Sequence, residues 1–435
     1  MSTTLEKNRE EIKKTFLLPL RENERLSERL HEESNRTRAD GEYQRDYTRI
    51  LYSSSFRRLQ GKMQLFAVQS DQFIRNRLTH SLEVAQIARS IAMEIGYTPG
   101  EIYIVEACSL AHDIGNPPFG HAGEKFLNDL SRDIGGFEGN AQTLRILTTV
   151  EQKRADFQGL NLTYRTLLGI LKYFNRYNKD LGEDAFSSQK FIYRRDYDLI
   201  SQIVRDTGVV LRTLDVQIVD LADEIAYAAH DLEDGLRIGV FHVDEIMHDF
   251  CRIDTDDTSR RMLKEIFEES RERAGFQNRN ISSADFSKLY RKEVTSRIIH
   301  TLINDIGIVR LTEEGKARRG TKQETEIGFV NYGKLASGLK ATTYECITNN
   351  DKVYAYESTG KNMLRKLNDF YNDRPSYLPP EYRAENIVRQ YAKAYKEENR
   401  DGGLLKKLQK RLVMDYIAGM MDAYVKTSYD RLIKS

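Results

Sequence analysis

The stretch that decides the fold is Ala111-His112-Asp113-Ile114-Gly115-Asn116-Pro117-Pro118-Phe119-Gly120-His121-Ala122-Gly123-Glu124. Its first residues end an apolar helical pattern, and its glycines and paired prolines predict a fixed turn rather than more helix. Two histidines and two carboxylates therefore stand on either side of one turn. Because these side chains bind divalent metals and act as general acids and bases, the stretch indicates a chemical site.

Three helices surround this stretch, and each carries a candidate metal ligand. Apolar residues at helical spacing predict the following helices: Arg77–Ile95, Glu101–Ile114, and Leu214–Leu232, which ends before Gly235. His80, His112 and Asp223 lie on or beside their apolar faces, and Asp113 follows His112. Such a mixed nitrogen and oxygen set suits Mn²⁺, Mg²⁺ or another first-row transition metal with open water positions. Asp220 is an alternative to Asp223, because a spacing of three residues puts both on one side of the helix.

Composition predicts a mostly α protein with a real core. The 435 residues are 40% hydrophobic and 31% charged, and they include only 7 prolines. Lys and Arg number 67 and Asp and Glu 66, so the overall charge implies no obligatory nucleic-acid or membrane partner, although it leaves local basic patches open. We see no signal peptide and no apolar run long enough to cross a membrane. Three scattered cysteines favour the reducing cytoplasm.

The chain divides into three predicted regions. Residues 1–45 form a charged arm, which we expect to be peripheral, solvated and partly helical. Residues 46–240 form the helical catalytic core. Residues 241–435 form a mainly helical C-terminal part, with a loop-rich or hairpin segment near 308–356 and two closing helices from Tyr382 to Ser435.

These motifs together resemble the dGTPase branch of the HD superfamily. The opening stretch resembles the second motif of that branch, and residues 77–84 echo the first. Residues 56–66 resemble its substrate-binding lead-in, whereas 137–142 and 221–227 match later motifs. The resemblance runs in the right order from about Tyr43 to Gly235. It implies an HD-type helical core with a metal-dependent active site.

The resemblance also implies roles for individual residues. The metal ligands are His80, His112, Asp113 and Asp223. His121 is the catalytic histidine, assisted by Glu124. The implied substrate contacts are Gln64 to the sugar 3′-hydroxyl, Arg77 to phosphate, Tyr227 and Asp231 in the triphosphate and sugar pocket, and Asn116, Asn140 and Gln142 near the catalytic histidine. Three further residues are either phosphate contacts or a solvated helix face: Lys190, Tyr193 and Arg194. His230 receives no role.

The implied activity is metal-dependent hydrolysis of a deoxynucleoside triphosphate, with dGTP as the first candidate, to a deoxynucleoside and triphosphate. The alternatives are an HD-type phosphodiesterase or nucleotidase and a catalytically weak nucleotide sensor. Members of this branch are commonly oligomeric, so we expect a homo-oligomer, with a hexamer the first candidate. A regulatory nucleotide or single-stranded nucleic acid is a further possible partner, through basic clusters such as Arg318-Arg319 or Lys406-Lys407 with Lys410-Arg411.

Overall fold

The computed structural model describes residues 2–33, 41–65, 74–181, 188–278, 280–348, 351–390 and 402–434. Its α-helices are Ser2–Ile12, Leu18–Glu22, Gly41–Leu51, Ser54–Arg58, Arg77–Ile95, Pro99–Ala111, Gly120–Leu130, Gly139–Arg145, Tyr164–Ile170, Arg194–Thr207, Leu214–Ala226, Leu232–Ile238, Val243–Arg252, Asp257–Arg273, Ser283–Asn304, Glu313–Arg319, Gly333–Thr348, Asp351–Asp373, Ala384–Gln390, Gly402–Ala418 and Asp422–Leu432. One antiparallel pair of strands, β1 (Ile306–Arg310) and β2 (Thr325–Phe329), accompanies them. The mostly α prediction is confirmed. None of the described helices is long and apolar enough to span a membrane.

Three helices form the centre of the main core: the His80 helix (Arg77–Ile95), the Cys108 helix (Pro99–Ala111) and the Asp223 helix (Leu214–Ala226). Their apolar stripes face one another, and Val84, Val105 and Ile225 are fully buried. Burying a side chain of this size contributes about 1.5–3 kcal/mol relative to exposure. The apolar stripes from which these helices were predicted therefore also fix the directions in which the polar residues of each helix point.

Local signals set the ends of the first two of these helices. Asn76 caps the His80 helix, and Gly96, at φ +99°, ends it, as the sequence predicted. The Cys108 helix begins two residues earlier than predicted, because the Thr98 and Glu101 side chains form a capping box around Pro99. It also ends at Ala111 rather than Ile114, which leaves His112 at its C-terminus.

The predicted end of the third helix before Gly235 is wrong. The Asp223 helix continues through a π-helical turn, Tyr227–Asp231, into the helix Leu232–Ile238. Gly235 lies inside this last helix. Only glycine fits there, because a Cβ at this position would lie 2.1 Å from the Phe241 ring. Gly239, at φ +68°, ends the helix instead. Gly235 is thus required for close packing and not for chain termination.

The N-terminal arm is partly helical, as expected, but its described residues are not all peripheral and solvated. Ile12, Leu17, Leu20 and Leu26 are buried and belong to the same core as the three central helices. These apolar residues are few among many charged ones. The composition of the segment therefore does not reveal that one of its faces is apolar. The outer boundaries of the three predicted regions stay predictions.

The loop-rich expectation for 308–356 holds only for its first part. β1 pairs with β2 from Ile306↔Phe329 to Arg310↔Thr325, with the helix Glu313–Arg319 between them. From Gly333 onward the chain is helical instead, in two long helices, Gly333–Thr348 and Asp351–Asp373.

The closing region differs from the two helices that we predicted. In the part that the structure describes, it contains three: Ala384–Gln390, Gly402–Ala418 and Asp422–Leu432. We call the last two the closing helices. Residues 391–401 lie outside the described residues, as does Phe66 of the 56–66 motif.

A buried ion-pair network connects the core helices to the helix Tyr164–Ile170. The Arg165 guanidinium donates to Asp215 Oδ2 at 3.1 Å and to Glu101 Oε1 at 3.2 Å. Tyr97 also donates its hydroxyl to Asp215, at 2.9 Å. The Arg165 and Asp215 side chains are only 2% and 0% exposed. Each charge is therefore stabilised by the other instead of by water.

We therefore predict that Arg165→Ala lowers the free energy of unfolding by about 3–5 kcal/mol, since it leaves Asp215 charged, buried and unpaired. Urea unfolding followed by circular dichroism measures this loss. The control is Arg9→Ala, which breaks the partly exposed Arg9–Glu94 pair and should cost less than about 1 kcal/mol. Equal losses in the two variants would contradict the role given to Arg165.

Candidate functional site

Three predicted ligands, each from a different core helix, meet at one point. His80 Nε2 lies 3.1 Å from Asp223 Oδ1, and His112 Nε2 lies 3.6 Å from the same oxygen. One ligand atom from each of the three residues falls within 4.8 Å of the others. A single divalent ion can therefore contact all three with small side-chain adjustments.

The chemistry of His112 fits this use. Its Nδ1 lies 2.6 Å from the Ser109 carbonyl oxygen, which can only accept, so Nδ1 carries the proton. Nε2 is then left with a free lone pair, buried and without a hydrogen-bond partner. Metal-binding histidines are commonly oriented in this way, with the second ring nitrogen donating to a carbonyl. The donor set therefore fits a divalent metal.

The surroundings of Asp220 and Asp223 separate these two alternatives. Asp220 is engaged by Arg212 and, at 2.9 Å, by Lys172, and it is not a member of the three-residue group. Asp223 presents Oδ1 to the histidines and has only Oδ2 near Lys172, at 3.4 Å. Burial opposes ionisation of Asp223, but the charge of Lys172 and the hydrogen bond of His80 hold its pKa well below the usual value. This geometry favours Asp223 as the ligand.

Asp113 lies beside the three-residue group rather than within it. Its Oδ1 is 3.6 Å from His112 Nε2 and accepts from Asn116, whereas its Oδ2 pairs with Arg77. Burial opposes ionisation, but Arg77, followed by the two histidines, lowers the pKa of Asp113 to about 2. Asp113 is thus a charged carboxylate with one oxygen facing the group.

A cavity of about 320 Å³ opens over this group. The predicted residues on its wall are Gln64, Arg77, His112, Asp113, Asn116, His121, Glu124, Asn140, Lys190, Asp223, Tyr227 and Asp231. His80 lies behind the wall and is fully buried. Most of the sequence-predicted site is therefore gathered around one space.

His121 and Glu124 form a pair on one side of the cavity. His121 Nδ1 lies 3.2 Å from Glu124 Oε2, and the other oxygen of Glu124 accepts from the Gly139 amide at 2.9 Å. Burial opposes ionisation of Glu124, but the His121 hydrogen bond and Lys190 lower its pKa to about 2. The His121 side chain is 68% exposed, so a fixed, charged carboxylate orients an accessible imidazole.

Gln64 and Asp231 are among the wall residues that carry buried polar atoms without partners. Both amide atoms of Gln64 are buried and unpaired, which argues against its serving only as a helix cap. Asp231 Oδ1 is also unpaired, and burial raises the pKa of Asp231 to about 7. Because buried polar groups are nearly always hydrogen-bonded, these atoms are available to a polar ligand in the cavity.

Sequence reasoning missed three cations on the cavity wall, namely Lys172, Arg318 and Lys340. Lys172 follows the helix Tyr164–Ile170, and Lys340 lies in the helix Gly333–Thr348, with its ammonium 4.5 Å from the centre of the Tyr227 ring. We had considered Arg318 only as part of a surface cluster. No local pattern distinguishes these residues among the 67 lysines and arginines of the chain.

Three residues with expected substrate contacts lie elsewhere. Gln142 is fully buried outside the cavity wall, where it donates to Asp415 at 2.9 Å and accepts from Tyr193 at 3.1 Å. Tyr193 is therefore buried and supports Gln142, whereas the side chain of Arg194 is 97% exposed. Lys190, by contrast, reaches the cavity and pairs with Glu138 at 2.8 Å. Gln142 and Tyr193 instead contact Asp415 and Arg411, both of which lie in the closing helix Gly402–Ala418.

Two family models and several known proteins match this chain. The HD domain matches residues 77–228, and the phosphohydrolase-associated domain matches residues 332–431. The deoxyguanosinetriphosphate triphosphohydrolase-like protein 2 of Vibrio cholerae is 43% identical over 395 residues, which cover 89% of this chain and 87% of that protein. The like-named proteins of Leptospira interrogans and Deinococcus radiodurans are 31% and 32% identical, covering 90% and 95% of this chain and 89% and 96% of their own lengths.

The two aspartates give a matched test of the metal site. We predict that Asp223→Asn loses bound divalent metal, because it removes a charged ligand oxygen, whereas Asp220→Asn retains it. Elemental analysis of purified protein after equilibration with Mn²⁺ measures the occupancy. Circular dichroism should show that both variants are folded. Metal loss in Asp220→Asn with retention in Asp223→Asn would reverse the assignment.

Proposed function

Because the chain belongs to the deoxyguanosinetriphosphate triphosphohydrolase-like family of HD-domain phosphohydrolases, we propose that it hydrolyses deoxynucleoside triphosphates to deoxynucleosides and inorganic triphosphate. dGTP is the first candidate substrate. The observation that carries the proposal is the common cavity, which gathers the metal-binding group, the His121–Glu124 pair and a set of cations around one space.

The charges on the cavity wall suit a triphosphate. Five cations lie there among the described residues: Arg77, Lys172, Lys190, Arg318 and Lys340. Arg77 and Lys172 pair with Asp113 and Asp223 beside the metal-binding group. Phosphate oxygens that bind these two cations would therefore lie close to the metal. Lys190, Arg318 and Lys340 supply further positive charge, which a polyanion requires when it leaves water.

The proposed reaction joins a water oxygen to the α-phosphorus and breaks the bond from that phosphorus to the 5′-oxygen. One water proton ends on the departing 5′-oxygen, so no other reactant is required. A divalent ion held by His80, His112, Asp223 and Asp113 would supply Lewis-acid polarisation of the phosphoryl group. His121, oriented by Glu124, handles the proton, either from the water or to the 5′-oxygen.

The sugar is bound, in this proposal, between Gln64 and Tyr227. The unpaired amide of Gln64 is available to the 3′-hydroxyl. Tyr227 begins the π-helical turn, and its ring centre lies 5.4 Å from that of His80. Such turns often occur at functional sites. A ring held against the metal site leaves little room beside C2′, which favours a deoxyribose over a ribose.

The assembly and its regulation also belong to the proposal. We expect a homo-oligomer, a hexamer first, that acts in the cytoplasm. A regulatory nucleotide or single-stranded nucleic acid would find its charge complement in a second cavity, of about 790 Å³. Arg176, Arg194, Lys407 and Arg411 line that cavity, so two of the sequence's C-terminal basic residues face a concave surface.

The reaction product decides between this activity and its alternatives. We predict that incubation with dGTP and Mn²⁺ yields deoxyguanosine and inorganic triphosphate, measured by phosphorus NMR. His121→Gln is the control for a contaminating enzyme, since it should lower the rate by about 10²–10⁴-fold. Pyrophosphate with deoxynucleoside monophosphate as products would contradict the proposal, as would turnover of cyclic or monophosphate nucleotides alone.

Sugar recognition gives a second test. We predict that wild-type protein prefers a dNTP over its 2′,3′-dideoxy analogue by about 10–100-fold in kcat/KM, because a buried unpaired amide costs about 1–3 kcal/mol. Gln64→Ala should remove most of this preference and leave discrimination against the ribonucleotide largely unchanged. If the variant loses stability but keeps the dideoxy ratio, then Gln64 is a structural residue only.

A further inference from the structure

The carboxylate of Asp422 connects the C-terminal part to two segments of the catalytic wall. Asp422 lies at the start of the last closing helix and is 5% exposed. Its Oδ1 accepts from the Phe119 amide at 3.1 Å, and its Oδ2 accepts from the Met63 amide at 3.1 Å. The Tyr356 hydroxyl donates to Oδ2 at 3.2 Å. One buried side chain thus joins four parts of the chain.

The two amides belong to residues next to the chemistry. Met63 immediately precedes Gln64, and Phe119 lies two residues before His121 in the turn that leads into its helix. Both Gln64 and His121 line the same cavity. A shift of either amide would therefore move a residue that contacts the substrate in the proposed reaction.

The Phe119 backbone requires such support. Phe119 has φ +62°, a left-handed conformation that is unfavourable for a residue with a side chain. Its ring packs edge-on against Tyr356 and lies where a Cβ on Gly360 would come within 2.5 Å. A strained backbone of this kind persists only when its surroundings fix it. The bond to Asp422 and the packing of the ring provide that restraint.

Lys62 completes the same connection from the opposite side. Its ammonium is fully buried and donates to the Ala418 carbonyl at 2.7 Å and to the Asn116 carbonyl. The C-terminal end of the closing helix Gly402–Ala418 is thereby joined to Asn116, at the start of the turn 116–119. Asp422 binds the other end of this turn, at Phe119. The buried side chains of Lys62 and Asp422 therefore span the junction between segment 62–64, the turn 116–119 and residues 418–422.

From this geometry we propose that Asp422 is a positioning residue, which aligns Gln64 and the His121–Glu124 pair for reaction on a common substrate. The proposal rests on the proposed function for its catalytic readout. The single carboxylate holds the Met63 and Phe119 amides next to each other. It thereby fixes the spacing between the segments that carry Gln64 and His121, both of which line the cavity.

Asp422→Asn is the decisive variant, because it keeps the shape and turns one acceptor oxygen into a donor that faces an N–H group. The matched control is Asp305→Asn. Asp305 is likewise buried and accepts from two backbone amides, Asn331 at 2.8 Å and Tyr332 at 2.7 Å, away from the cavity wall. Both variants should lose some stability. Only Asp422→Asn should lower kcat, by about tenfold or more, since a small misplacement of reacting groups caused by a distant change can cost up to about 10²-fold.

Two further measurements distinguish positioning from general destabilisation. In Asp422→Asn the preference for dNTP over its dideoxy analogue should shrink, while bound Mn²⁺ stays at the wild-type level. Hydrogen–deuterium exchange should become faster in peptides covering 61–65 and 116–121, and it should remain unchanged there in Asp305→Asn. Wild-type kcat and wild-type exchange in Asp422→Asn would overturn the proposal, as would equal losses of kcat in the two variants.

The exchange measurement also separates this proposal from the proposed function. If wild-type protein hydrolyses no dNTP, the function fails, and exchange in the two peptides alone decides whether Asp422 holds both segments. If Asp422→Asn does not fold, Tyr356→Phe replaces it, because it removes one donor from the same carboxylate. That variant should then lower kcat by about two- to fivefold, within the range of one neutral hydrogen bond, and an unchanged kcat would overturn the proposal.

Discussion

Two buried carboxylates, Asp113 and Asp223, stay ionised at the base of the cavity because Arg77 and Lys172 lie against them. Without these cations, burial would favour the neutral acids, which bind a divalent ion poorly. Each carboxylate is used in the same way. One oxygen pairs with a cation, and the other faces the histidines. The pairing therefore fixes both the charge of the site and the direction in which its ligand oxygens point.

The rest of the core serves to deliver these groups to one place. The three central helices present His80, His112 and Asp223 from different directions, and Arg165 and Asp215 join two of these helices to the helix that leads to Lys172. Because the apolar faces are close-packed, a change at one helix moves the others. The buried ion pair and the apolar stripes thus hold the cation–carboxylate pairs at distances of a few ångströms.

A structural feature can be predicted from the sequence when the residues that cause it lie close together along the chain. Helical period identified the His80 helix to the residue, because its cap and its apolar stripe are contiguous in sequence. The period could not choose between Asp220 and Asp223, since that choice depends on Lys172 and Arg212, which come from other segments. Gln142 was misplaced for a similar reason. Its polar partners are Asp415 and Tyr193, and only the folded chain brings them together.

The C-terminal part contributes more to the site than the sequence motifs indicated. The motif resemblance ends near Gly235, yet Lys340 reaches the cavity from the helix Gly333–Thr348, and Asp422 bonds to the residues beside Gln64 and His121. A second apolar core, which includes Phe119, Leu364 and Ile417, joins the catalytic turn to these C-terminal helices. The motifs therefore supply the metal-binding group and the His121–Glu124 pair, whereas the later helices supply one cation of the cavity wall and support the segments that carry Gln64 and His121.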